Sequence, residues 1–146
     1  RIRGSAVHLA CRFYDEGDLD LNSVDPAIAG YLESYITWLS VFAGKFDFIE
    51  QPMSNGLYAG TPDRIITAKP RSLWDIKTGA YNPIHAIQTA LYVNMLDDPF
   101  SYCRFCLYLN PDGQMPTVRE FYKKDYMGDL VVGIAALNIY NWKRSH

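Results

Sequence analysis

A chain of 146 residues that is 49% hydrophobic and 14% aromatic is long enough to bury one substantial core and too short for two comfortable domains. Its 14 Lys and Arg against 16 Asp and Glu leave a formal charge of -2 and a pI near 5.9, which excludes the overall basic field of a protein that grips nucleic acid by charge alone. Three cysteines exclude a fully paired disulfide framework, and no apolar run approaches the roughly 18 residues of a membrane span.

The opening residues lack the pattern of a signal peptide, so a soluble, reducing, intracellular setting is expected. They start inside a helical pattern, and further residues upstream are expected. Local basic clusters are Arg1, Arg3 and Arg12, then Lys69 and Arg71, then Lys123 and Lys124. Each reads first as a solvated face.

Residues 3–16 read as a helix ended by Gly17, with His8 in its middle. Taken alone, His8 is a core histidine before it is a metal ligand. Asp25-Pro26 offers an N-cap and a first-turn proline to a second helix, whose Ile28, Leu32, Tyr35, Leu39 and Phe42 fall at helical spacing before Gly44.

Residues 45–53 read as a strand, and Asn55-Gly56 predicts a two-residue hairpin turn to a second strand over 57–67. That register sets Glu50 opposite Thr61 and Phe48 opposite Asp63. Pro62 is the weak point, because a proline inside a strand often marks a bulge that shifts register. A reversal over 68–71 leads to a third strand over 72–78. If this hairpin is symmetric about residue 69, Asp63 lies across from Asp75, and strand alternation puts Lys77 on the same face. Facing like charges destabilise a ladder unless a cation sits between them, and paired carboxylate oxygens suit a hard divalent ion. Glu50 then stands one step removed, as a diagonal neighbour of Asp63.

Asn82-Pro83 starts another helix, with Ile84, Ile87, Leu91 and Met95 as its apolar stripe and Leu96 near its end. His85, Gln88 and Tyr92 share a neighbouring polar edge that borders the acidic patch. Residues 102–109 read as a strand buried on both faces, with Cys103 and Cys106 on opposite sides of it. With Cys11 the only other thiol, all three cysteines read as small buried hydrophobes rather than ligands of zinc or an iron–sulfur cluster. Residues 117–122 read as an edge strand, and Asp125 as the cap of a last helix with Leu130, Ile134 and Leu137 inward. The order predicts one mixed α/β domain over residues 1–146, a central mixed sheet flanked by helices.

His8, Glu50, Gly60-Thr61-Pro62-Asp63, Asp75-Ile76-Lys77-Thr78-Gly79 and Gln88-Thr89-Ala90-Leu91-Tyr92, in that order, resemble the PD-(D/E)XK nuclease superfamily, in particular its RecB-like exonuclease branch. The resemblance spans Gly4 to Tyr92 and implies a restriction-endonuclease-like core. It implies one or two Mg2+ or Mn2+ ions on His8, Asp63, Asp75 and the backbone carbonyl of Ile76. Lys77 would orient or activate the attacking water, and Gln88 and Tyr92 would hold the DNA strand; Glu50, His85 and Thr78 are of second rank. Two departures stand out: the third-motif acid is Asp75 rather than a glutamate, and the cluster cysteines of some RecB-like members are absent, so no iron–sulfur cluster is carried over.

The expected function is therefore a metal-dependent DNA exonuclease in recombination, repair or phage DNA processing, in the cytoplasm of a bacterial or phage-infected cell. Its expected partner is DNA, with a second copy of the chain or a recombination protein beside it and no membrane. Two alternatives stay open: an endonuclease or junction resolvase, and a catalytically silent nucleic-acid-binding or assembly module of the same fold.

Overall fold

Two helices open the chain in the computed structural model, which describes residues 2–146 and leaves Arg1 of the N-terminal basic cluster outside. α1 (Ile2–Glu16) stops at Gly17, whose φ of +76° is left-handed, and the Asp18 amide donates back to the Phe13 carbonyl at 2.9 Å. This is the closing bond of a Schellman motif. α2 (Pro26–Leu39) starts as its sequence demands: the Asp25 carboxylate accepts from the Ala27 amide at 2.9 Å and Pro26 takes the first turn. Val7, Ala10 and Cys11 on α1 face Ile28, Leu32 and Tyr35 on α2, and both stripes lie on one side of the sheet.

That sheet is mixed and five-stranded. Its strands, in chain order, are β1 (Phe48–Ile49), β4 (Arg64–Ile66), β5 (Ser72–Lys77), β6 (Cys103–Tyr108) and β7 (Thr117–Phe121), and they lie side by side in the same order. Only β5 and β6 are parallel, joined through α3 (Ile84–Val93). Between β1 and β4 a separate two-stranded ribbon forms from β2 (Met53–Ser54) and β3 (Ala59–Gly60). The last helix, α4 (Tyr126–Arg144), packs with α3 on the face away from α1 and α2. β5 buries both faces, Trp74 and Ile76 toward α1 and α2, Leu73 toward α3 and α4. Arg104 on β6 is buried and binds the second layer together, donating to the Ala86 carbonyl of α3 and, at 2.9 Å, to Asp129 of α4. No helix among the described residues is long and apolar enough to cross a membrane.

The β4–β5 register agrees with the expected hairpin: Arg64 pairs Trp74, Ile65 pairs Leu73 and Ile66 pairs Ser72. One residue further, the same register sets Asp63 opposite Asp75. The other hairpin differs. The strand expected over 45–53 breaks at Glu50, whose φ is +50°, and the one expected over 57–67 splits around residues 61–63, where Pro62 is buried. Asn55-Gly56 does not form a two-residue turn. The Asn55 side chain accepts from the amides of Leu57 and Tyr58 and closes a longer loop, so Met53 pairs Gly60 and Phe48 pairs Ile65. Every pairing is displaced by two residues from the expected one. An even displacement keeps each side chain on its face, and it brings Glu50 opposite Asp63 instead of Thr61.

Two smaller expectations also change. α3 ends at Val93, with residues 94–96 closed by tighter turns, although Asn82 does accept from the Ile84 amide. Asp125 lies in helical conformation and makes no capping bond to α4.

Candidate active site

β4 parts from β5 where Pro62, with no amide hydrogen, precedes Asp63. There the Asp63 side chain replaces a strand: its Oδ2 accepts from the Ile76 amide at 2.7 Å, the bond a continued β4 would have supplied. The Ile76 carbonyl leaves β5 on that same edge, as N–H and C=O of one strand residue do. The other Asp63 oxygen, Oδ1, meets His8 Nδ1 of α1 at 3.1 Å. Glu50 arrives from the opposite side, its amide donating to the Asp63 carbonyl at 2.9 Å while its left-handed backbone turns the side chain inward. One ligand atom from each of His8, Glu50 and Asp63 lies within 4.8 Å of the others. Glu50, which the sequence left one step removed, thus shares the tightest group.

Asp75 and Lys77 stand beside it on β5. Asp75 Oδ2 lies 2.9 Å from Lys77 Nζ, and Lys77 donates to Gln88 Oε1 at 2.7 Å. Gln88 Nε2 donates in turn to the Tyr92 hydroxyl at 3.2 Å. Spacing i, i+4 on α3 makes this last bond, and α3 follows β5 closely enough to bring it to the lysine. Tyr92 also lies over Gly60, where a Cβ would come within 2.7 Å of its ring. A glycine is needed there for the ring to sit against β3.

Burial opposes charge on both acids, with opposite outcomes. For Asp75, burial and then the Asp63 charge raise the pKa well above the carboxylate range, and Lys77 pulls it back only partly. For Asp63, burial is outweighed by hydrogen bonds from Asp75, His8 and the Ile76 amide, which hold it below that range. The pair therefore keeps a proton on Asp75 and a charge on Asp63. Burial lowers the pKa of His8, but its bond to Asp63 and the charges of Asp63 and Glu50 win and raise it. Tyr92 is pushed up to about 12 by burial and the Asp75 charge, so it keeps its proton.

The remaining expected residues lie close by. Thr78 follows Lys77 and stands 3.6 Å from where a Cβ on Gly4 of α1 would be. His85 turns away from the acids to the Tyr108 hydroxyl at 2.7 Å, and burial with the Lys77 charge lowers its pKa. Three residues that the sequence reading did not assign to the site support it. Arg64 is almost wholly buried behind Asp63, donating to the Asp63 carbonyl at 2.7 Å and to Asp15 at 2.8 Å; the Tyr35 hydroxyl also donates to Asp15. The available signal was the charge itself: an arginine in the run Arg64-Ile65-Ile66 of a central strand must find a buried partner.

Gly4, Ser5, His8, Leu9, Arg12, Glu50, Lys77 and Gln88 line an open cleft of about 880 Å³ over these groups. Acid, imidazole and ammonium meet at its floor, an arrangement able to hold a cation and position a water beside an anionic substrate. Among known proteins, no family model and no curated protein matches the chain.

Proposed function

We propose that the chain is a metal-dependent DNA exonuclease with a restriction-endonuclease-like core. The observation that carries this reading is the convergence of His8, Glu50, Asp63, Asp75 and Lys77 on one group, with His8, Glu50 and Lys77 lining an open cleft, in the order of the RecB-like motif set. Such a cluster opposes folding, because it buries one charge and holds a second acid protonated, and conflicts of this kind gather where chemistry is done.

The donor set fits a hard divalent ion. Glu50 Oε2 and Asp75 Oδ2 are buried and accept no hydrogen bond, although Lys77 lies 2.9 Å from the latter and Arg12 3.5 Å from the former. His8, Glu50 and Asp63 would hold the ion, with Asp75 and the Ile76 carbonyl adjoining. Bound there, Mg2+ or Mn2+ supplies Lewis acidity, lowering the pKa of a water and screening the scissile phosphate. Lys77, steadied between Asp75 and Gln88, places its ammonium in the cleft to position the attacking water and meet charge developing on phosphate oxygens. Gln88 and Tyr92 present an amide and a phenol beside it for the strand being cut. Arg64 holds the Asp63 main chain from behind.

The test uses end-labelled single-stranded, double-stranded and circular DNA with Mg2+, Mn2+ or chelator. Digestion of linear but not circular DNA, abolished by chelator and reduced about a hundredfold or more in Lys77→Ala, is expected. Cleavage of circles makes it an endonuclease. Tight DNA binding without cleavage in either metal makes it a binding module and overturns the proposal.

A further inference from the structure

α4 is apolar on both sides. Its inward side presents Tyr126, Leu130, Gly133, Ile134 and Leu137 to the fold, while Val131, Val132, Ile139, Tyr140 and Trp142 stand between 52% and 61% exposed. A helix that is apolar all round is ordinarily covered all round. Along the outer side Gly128, Val132, Ala135, Ile139 and Trp142 recur at alternating steps of four and three, the seam by which one helix packs along another. Asp129, Asn138, Asn141 and Lys143 all fall off that seam. The spacing asks for a helix as occupant, not a small molecule.

The seam is complementary to itself when reversed. Turned end for end about Ala135, Gly128 meets Trp142, and Val132 comes within one residue of facing Ile139, so the smallest position faces the largest. Beyond its chain neighbours and the helix's own backbone, no atom of the described residues lies within 4 Å of where a Cβ on Gly128 would be, which leaves room for an indole. Charge agrees with this direction: the exposed Asp125 stands at the start of α4 and Lys143 and Arg144 at its end, so reversal sets acid beside base and opposes the helix dipoles. A parallel pair would stack Trp142 on Trp142 and like charges on like. Beside the seam, Ala136 borders an apolar groove of about 400 Å³ to which α3 contributes Ile84, Ile87 and Leu91, so the apolar ground extends past α4 itself.

We infer that this protein forms a two-fold dimer in which α4 packs antiparallel against α4 of a second copy, centred on Ala135. The pairing stands independently of the nuclease reading. Sedimentation of the full chain over a wide concentration range should show a species of twice 16.7 kDa, lost in Ile139→Glu and in Trp142→Glu. Both side chains are exposed in the single chain, so circular dichroism should stay unchanged, and Tm should match that of wild type diluted to single chains. Ala135→Cys should cross-link to a disulfide dimer on mild oxidation, whereas the unsubstituted chain and Asn138→Cys should not. A wild type that sediments as a single chain at every concentration, or a dimer that survives Ile139→Glu, overturns the inference. Cross-linking through Gly128→Cys as well as Ala135→Cys would show a parallel pair and overturn it equally.

Discussion

Asp75 carries the sharpest conflict of any single residue. Its pKa in the folded chain lies above the ordinary 3.8, first through burial and then through Asp63. As pH rises past 3.8, the unfolded chain releases a proton that the folded chain keeps, so this residue's contribution to stability falls until the folded pKa is passed. Asp75→Asn removes that slope. Thermal melts without metal should show the variant more stable at neutral pH by about 1 kcal/mol, with the gap closing toward pH 4, and metal-dependent cleavage lost. A variant less stable than wild type at neutral pH would show that the contact with Lys77 outweighs the burial of charge. This conflict was legible in the sequence, because mirror symmetry about residue 69 and the two-residue step to Lys77 are local. The places of Glu50 and Arg64 were not. One depends on a left-handed backbone at a non-glycine residue, the other on an acid and a phenol brought by α1 and α2.

Among the elements, α2 is tied to the turn between β6 and β7. Ser34 donates to the Gln114 carbonyl at 2.6 Å and accepts from the Asn110 amide at 3.0 Å, while Gly30 passes so near the Pro111 carbonyl that a Cβ would stand 1.7 Å from its oxygen. Backbone cannot yield as a side chain can. Gly30→Ala is therefore expected to cost about 3 kcal/mol in urea unfolding, against little change for Gly79→Ala, where nothing lies within 4 Å. An unaffected Gly30→Ala would mean that α2 sits further from the turn. The starts of α2 and α3 and the stop of α1 were readable for the same reason that they form: Asp25, Asn82 and Gly17 act within one turn of chain. The ribbon of β2 and β3 was misread because Asn55-Gly56 can close either a two-residue or a longer loop, and which one wins depends on where Tyr58 docks. Its hydroxyl donates to the Leu91 carbonyl and accepts from the Asn94 amide, both across on α3 and its end.

At the scale of the molecule, a site that holds an ion only when folded must stabilise the fold. Mg2+ or Mn2+ at a hundred times its Kd should add about 2.7 kcal/mol, a rise in Tm of roughly 8 °C for a chain of this length, absent in Asp63→Ala. A Tm indifferent to both ions would remove the metal from the proposal. By itself, the sequence determined the helices, β5 and its hairpin with β4, and the facing of Asp63 and Asp75, because each rests on residues a few positions apart or on one tight reversal. Only the tertiary structure decided that His8 reaches Asp63 across 55 positions, that a displaced register brings Glu50 to the same ion-sized space, and that Arg64 lies buried behind it. The physical reason is that sheet order and helix layering are set by burying faces contributed from the whole chain. The site exists only where those faces meet.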